Sequence, residues 1–122
     1  MMDRYDLIIL GGGLAGMCAA VEAGEQGANA LLLEKQDELG GSTVLSSGYM
    51  AFAGTDMQEQ AGIIDSIESL LADMVEVGGG VNDQTLVAAY GKHQLETYQW
   101  LVEHGVEFRS LEAVSGHSVP RG

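Results

Sequence analysis

Six residues near the amino terminus constrain the fold of this chain more than any others: Gly11-Gly12-Gly13-Leu14-Ala15-Gly16. They fit G-x-G-x-x-G, a pattern that takes its meaning from its surroundings. Before it, Tyr5 to Leu10 reads as a buried strand. Its continuous apolar run, Leu7 to Leu10, is typical of a parallel strand covered on both faces. After it, Leu14 to Glu25 reads as a helix with Met17, Cys18, Val21 and Gly24 on one side, and Gly27 supplies a left-handed stop. Ala30 to Leu33 is a second short apolar run, closed by Glu34. Strand, helix and strand in this order form a βαβ unit with a right-handed crossover. The first Gly permits the tight turn, the second lets backbone N–H groups approach a pyrophosphate, and the third lets the helix pack closely on the strand. The unpaired N–H groups of the helix start then attract an anion.

Glu34 ends the second strand, 18 residues after Gly16. A carboxylate there accepts hydrogen bonds from a ribose 2′,3′ hydroxyl pair and repels a 2′-phosphate, which disfavours NADP. These features leave FAD and NAD both open. Charge sharpens the role of the loop. The chain carries 5 Lys and Arg against 18 Asp and Glu, a formal net charge of −13. Such a balance argues against nucleic-acid binding and against an anchor on anionic lipid. A phosphate must therefore be held by backbone dipoles.

The 18 glycines stand against a single proline, in a chain that is 46 % hydrophobic. They bunch at Gly11–Gly13, Gly40-Gly41 and Gly78–Gly80, which suits tight turns and close approach to a ligand rather than a flexible linker. One cysteine, Cys18, excludes an internal disulfide and a Cys-rich metal site, and reads as a small apolar helix residue. The start, Met1-Met2-Asp3-Arg4-Tyr5-Asp6, does not resemble a signal peptide. The uncharged stretch from Leu7 to Val21 is too short and too Gly-interrupted to span a bilayer. A cytoplasmic protein is the expectation.

Residues 36–55 lack a helical period and read as an ordered functional loop with one short helical turn. Ile63, Ile64, Ile67, Leu70, Leu71, Met74 and Val75 then recur at helical spacing, which predicts an amphipathic helix from about Gln58 to Val77. Asn82 or Asp83 caps a further helix, with Leu86, Val87, Tyr90, Tyr98, Leu101 and Val102 as its inner face and Gly105 as its stop. Val106 to Phe108 is a candidate third strand, and Ser115 to Gly122 is turn-rich. The expected division is 1–55, the βαβ unit and loop, and 56–122, a helical segment.

The segment Glu34-Lys35-Gln36-Asp37-Glu38-Leu39-Gly40-Gly41-Ser42-Thr43, continued by Ser46-Ser47-Gly48, resembles the E-K-x-x-x-x-G-G-[NST]-[AT] segment of the FAD-dependent fumarate reductase and succinate dehydrogenase flavoprotein superfamily. Further matches fall in the order found in soluble, flavocytochrome-type fumarate reductases: Ile64-Asp65-Ser66 with Asp73, Val81-Asn82-Asp83, Leu86-Val87, Trp100-Leu101, Gly105-Val106, and Ser118-Val119 with Arg121. Urocanate reductases and 3-ketosteroid Δ1-dehydrogenases are similar over the first third. The resemblance implies FAD as cofactor and a Rossmann-like, glutathione-reductase-like α/β fold. By position it places Gly11, Gly13, Ala15 and Gly16 around the pyrophosphate, Glu34 on the adenosine ribose and Lys35 beside the adenine end. Gly41, Ser42 and Thr43 fall at the pyrophosphate and ribityl region, and Ser47 and Gly48 against the isoalloxazine ring. Where the family carries a second Gly after Gly48, this chain has Tyr49. That ring implies a narrowed or stacked pocket and counts against fumarate as the substrate.

The resemblance implies hydride transfer between flavin N5 and a C=C or CH–CH unit of a small substrate, an unsaturated acid or a ketosteroid-like molecule. The family's substrate-binding arginines and histidine and its proton-delivering arginine fall in segments with no counterpart here, so no residue is assigned to catalysis. Arg109 reads as a solvated loop residue, and His93, His104 and His117 lack metal-like spacing. Two strands are too few for a doubly wound sheet. The expectation is an incomplete FAD-binding fold, the N-terminal part of a longer flavoenzyme, inactive alone, with a second chain as one means of completing it. The other reading is a non-catalytic dinucleotide-binding or assembly module that depends on a partner.

Overall fold

A computed structural model describes residues 4–113 and 116–121. Met1 to Asp3, Ser115 and Gly122, which figure in the readings of the two termini, lie outside the described residues. The chain forms two compact units, residues 1–48 and 49–122.

The first unit is the βαβ element. Strand β1 (Leu7–Leu10) leads through helix α1 (Leu14–Glu25) to strand β2 (Ala30–Leu33). The strands pair in parallel, with Leu7 opposite Ala30 and Leu10 opposite Leu33. The strand expected from Tyr5 is shorter and begins at Leu7. Alternation along β1 turns Ile9 inward, where it is buried, and leaves Ile8 58 % and Leu10 80 % exposed. Their same-face partners on β2 are Leu31 and Leu33, and Leu33 is exposed as well. Runs patterned for cover on both faces are thus covered on one. A short 3-10 helix (Gly41–Leu45) follows β2.

The second unit is helical. Helix α2 (Asp56–Gln60), helix α3 (Ile67–Val77) and helix α4 (Gln84–Glu103) follow in order. The single helix expected from Gln58 to Val77 is therefore two helices. Thr55 starts α2 with a capping box: its side chain accepts from the Gln58 N–H, and the Gln58 side chain accepts from the Thr55 N–H. Gly62, at φ 68°, ends it. Ser66 then caps α3 by accepting from the Ser69 N–H. The apolar stripe ran on across this break, and Ile64, counted in it, is 94 % exposed.

Asp83 caps α4, accepting from the N–H groups of Thr85 and Leu86. The four α-helices among the described residues end alike. A left-handed Gly (Gly27, Gly62, Gly79, Gly105) is followed by a residue whose N–H reaches back to Ala23, Gln58, Val75 or Leu101. That is the Schellman stop, and it accounts for much of the glycine excess.

The core of the helical unit holds Leu70, Val87, Leu101, Phe52 and Tyr98. Helices α3 and α4 approach closely at Gly91, where a Cβ would lie 2.9 Å from both Leu71 methyl carbons. Two residues expected on the inner face of α4, Leu86 and Val102, are instead exposed. Val106 to Phe108 forms no strand. Phe108 packs its ring edge-on to Phe52 and beside Tyr98. Gln94, buried, clamps the Ala53 backbone at both N–H and C=O. The Tyr98 hydroxyl donates to Asp56, and burial together with that carboxylate pushes its pKa up to about 12.

Candidate functional site

The turn between β1 and α1 has the tight glycine geometry that the sequence pattern predicts. Gly11 sits at φ 103°, a conformation that favours glycine, and its N–H donates to the Leu33 carbonyl at 2.8 Å. Gly16 has no room for a side chain: a Cβ would lie 1.9 Å from the Gly11 carbonyl oxygen. The first turn of α1 is thus pressed against the backbone of the loop. Gly12 is buried, and a Cβ there would lie 2.3 Å from a Leu39 methyl carbon.

Glu34 reaches back from the end of β2 to this turn. Its Oε2 accepts from the Gly12 N–H at 2.7 Å, and its Oε1 from the Gln36 N–H at 2.9 Å. These two N–H groups, Gly12 first, hold its carboxyl below the usual range. The group is therefore a carboxylate with lone pairs to spare. Leu10, Gly11, Leu33, Glu34 and Lys35 line a groove of about 490 Å³.

The 3-10 helix folds back onto the same turn. The Gly40 N–H donates to the Gly12 carbonyl at 2.8 Å, and Gly13 and Gly40 form an isolated parallel bridge. Thr43 Oγ1 accepts from the Leu14 N–H at 3.2 Å. No described group outside the helix accepts from the N–H of Ala15 or Gly16. Those two donors face the open end of α1.

The structure thus gathers Gly11, Gly13, Ala15, Gly16, Glu34, Gly41 and Thr43 around one helix start. Lys35 joins them along the groove. Ser42, Ser47 and Gly48 are exposed, and no described contact draws them to the glycine turn. Ser47 has the unusual φ of 58° for a residue with a side chain. Three contributors were missed from the sequence: Gly12, Leu39 and Gly40. The tripled glycine and the Gly40-Gly41 pair were the available signals. Ser46 was also passed over; its hydroxyl donates to the Thr43 carbonyl and accepts from the Gly48 N–H.

The second unit holds a buried ion cluster that was given no role from sequence. The Arg121 side chain is fully buried, and all five of its N–H bonds find partners. It forks onto Asp65, with Nε to Oδ2 and Nη2 to Oδ1 both at 2.6 Å. Nη2 also donates to Ser69, and Nη1 donates to Asp73 and to His117 Nδ1. An arginine cannot accept, so Nδ1 of His117 is the acceptor. Asp73 also takes the N–H and hydroxyl of Ser118. The Ser118 N–H, Arg121 and the Ser118 hydroxyl hold the Asp73 carboxyl far below the usual range. Burial opposes ionisation of Asp65, but bonds from Arg121 and Gln58 outweigh it and lower its pKa. Among the described residues no His, Cys, Asp and Glu side chains gather as a metal site. None of the helices described is long and apolar enough to cross a membrane.

A family model described as "FAD binding domain" matches residues 6–121. The acrylate reductase flavoprotein subunit of Shewanella woodyi is 35 % identical over 97 % of this chain and 24 % of its own length. The urocanate reductase of Eggerthella lenta is 39 % identical over 95 % of this chain and 20 % of its own. Among solved structures, the open conformation of a flavocytochrome c3 fumarate reductase superposes with a TM-score of 0.85 at 31 % identity, covering 96 % of this chain and 21 % of that one. The chain spans about a fifth to a quarter of the length of these two relatives.

Proposed function

The chain belongs to the FAD-binding domain family, and from that premise we propose that it forms the FAD-recognition part of an oxidoreductase acting on a small substrate with an activated C=C or CH–CH unit. One observation carries the reading. The α1 start is packed against Gly11 with no space for a Cβ at Gly16, and among the described residues it presents the Ala15 and Gly16 N–H groups with no acceptor outside the helix. Two backbone donors on a helix dipole, in a protein of net charge −13, suit an anion that side-chain charge does not attract. Glu34 adds a fixed carboxylate able to accept from ribose hydroxyls.

The residues present therefore fit FAD. In this reading Gly11, Gly13, Ala15 and Gly16 surround the pyrophosphate, and Glu34 holds the adenosine ribose, with Lys35 beside it. Gly41, Ser42 and Thr43 serve the pyrophosphate and ribityl region, while Ser47 and Gly48 lie at the ring. When bound, FAD supplies a hydride donor and acceptor. The chain's own contribution is to bind and orient it. The relatives are named for acrylate, urocanate and fumarate reduction, which favours a small unsaturated acid as substrate. Tyr49 in place of a glycine favours one other than fumarate. The division at residues 55 and 56, the glutathione-reductase-like form of the sheet and a cytoplasmic location belong to the same proposal.

The open face of Ile8, Leu10, Leu31 and Leu33 supports further polypeptide over the sheet, from a longer chain or a second one. In either case residues 1–122 alone are inactive. The test is to purify the protein as its gene makes it, record its visible spectrum and identify any released nucleotide. Bound FAD, with turnover of acrylate or urocanate by a reduced dye, is the expected result. A colourless protein that stays colourless with added FAD sinks the reading, and bound flavin without turnover of any unsaturated acid leaves the binding module.

A further inference from the structure

We propose that Thr43 is a positioning residue of the cofactor site: its hydroxyl closes the α1 N-terminus and pins the loop Gly40–Leu45 there. This rests on the FAD reading above and names what holds that site in shape. A helix start leaves N–H groups without partners, and a Ser, Thr, Asp or Asn at the N-cap normally accepts from one of them. Here the N-cap is Gly13, which has no side chain and makes no side-chain cap bond. The missing oxygen arrives from 29 residues further along: Thr43 Oγ1 accepts from the Leu14 N–H.

The surroundings of Gly13 show the same substitution. A Cβ built there would lie in ordinary contact with the Gly40 carbonyl at 3.7 Å and Thr43 Oγ1 at 3.9 Å, so the loop lies directly beside the N-cap. The loop is prepared for the task. Gly40 donates to Gly12, the Thr43 N–H donates to Gly40, and both the N–H and the hydroxyl of Ser46 donate to the Thr43 carbonyl. Within the 3-10 helix Thr43 alone is not exposed. Gly41, Ser42, Val44 and Leu45 all face solvent.

The consequence is a division of labour at the helix start. Glu34 takes the Gly12 N–H and Thr43 takes the Leu14 N–H, which leaves Ala15 and Gly16 among the donors open to a phosphate. Thr43 thus acts on the cofactor through α1. A residue whose hydroxyl acts only on the cofactor has no effect in its absence.

That difference is the test. Thr43→Val keeps the shape and removes the hydroxyl; Thr43→Ser keeps the hydroxyl. Amide-hydrogen exchange is followed on the intact protein with flavin removed, and FAD affinity is titrated separately. For Thr43→Val, loss of a cap predicts exchange at Leu14 and across Gly40–Leu45 faster by roughly fivefold, and FAD binding weaker by a similar factor. Thr43→Ser restores both. Unchanged exchange in flavin-free Thr43→Val, with FAD affinity alone reduced, overturns the proposal and makes Thr43 a direct ligand only. Failure of Thr43→Ser to restore protection overturns it too. Wild-type protein that binds no FAD, with protection still lost in Thr43→Val, removes the cofactor reading and leaves the closure of α1 by Thr43 intact.

Discussion

At the scale of single residues, two backbone positions are constrained in opposite ways. Gly16 is a steric necessity. Its Cβ would overlap the Gly11 carbonyl oxygen at 1.9 Å, and that oxygen belongs to a backbone held by the strand and cannot move aside. Gly16→Ala is expected to abolish flavin retention, read as loss of flavin absorbance through purification, with a fall in melting temperature. Ser47 is a strained position, a side-chain residue at φ 58°. Replacing it with glycine relieves the left-handed cost but frees the unfolded chain. The expected net gain is at most about 1 kcal/mol, seen as a small rise in Tm. If Ser47 lies against the flavin ring as proposed, the same variant alters the flavin spectrum.

At the scale of elements, local capping prevailed over periodicity. The stripe from Ile63 to Val75 obeys helical spacing, yet Gly62 stops one helix and Ser66 begins another. The box of Thr55 with Gln58 serves the start of α2, and the Ser66 cap satisfies the Ser69 N–H, which an uninterrupted helix would bond internally. The pairing of α3 with α4 depends on Gly91, whose missing Cβ admits Leu71. Gly91→Val is expected to force the helices apart at a cost of about 1–3 kcal/mol, measured as a lower urea midpoint. Gly91→Ala should cost much less, because the Leu71 methyls are the mobile end of a side chain.

At the scale of the whole molecule, long closures run through polar side chains: the Gln58 amide donates to the Pro120 carbonyl, 62 positions on, and a charge cluster lies beside it. Arg121 bonds Asp65, Ser69 and Asp73, which lie 48 to 56 positions earlier. It ties the segment after His117 to the start of α3. Arg121→Met strands two carboxylates in a buried site, and a loss of about 3–5 kcal/mol is expected from denaturant unfolding. The pH response has a definite sign. Asp65 and Asp73 have lowered pKa values when folded. The unfolded chain therefore takes up protons first, near pH ~3.9. Stability from these groups is complete above that value and is lost as pH falls through the folded ones. Arg121→Met should move this acid limb to higher pH, since the carboxylates lose the cation that keeps them ionised. Urea midpoints measured from neutral to acid pH give the comparison.

The sequence by itself determined the βαβ unit, with α1 and β2 at the boundaries read from it, and the glycine turn with Glu34 behind it. These depend on short-range matters: apolar runs, a turn that only glycine allows, and left-handed helix stops. A family resemblance added the cofactor. Tertiary structure alone decided what the loop residues do. Thr43 meets Leu14, Gly40 meets Gly12 and Arg121 meets Asp73 across long stretches of chain, and no local pattern records which donor will find which acceptor. It also decided that the break at Gly62 outweighs the apolar stripe, because a helix face is rewarded only by what packs against it. Ile64 had the right spacing and found no partner. The same logic governs Ile8 and Leu10. Their sequence asks for a covered sheet face, and only polypeptide packed over that face would meet the demand.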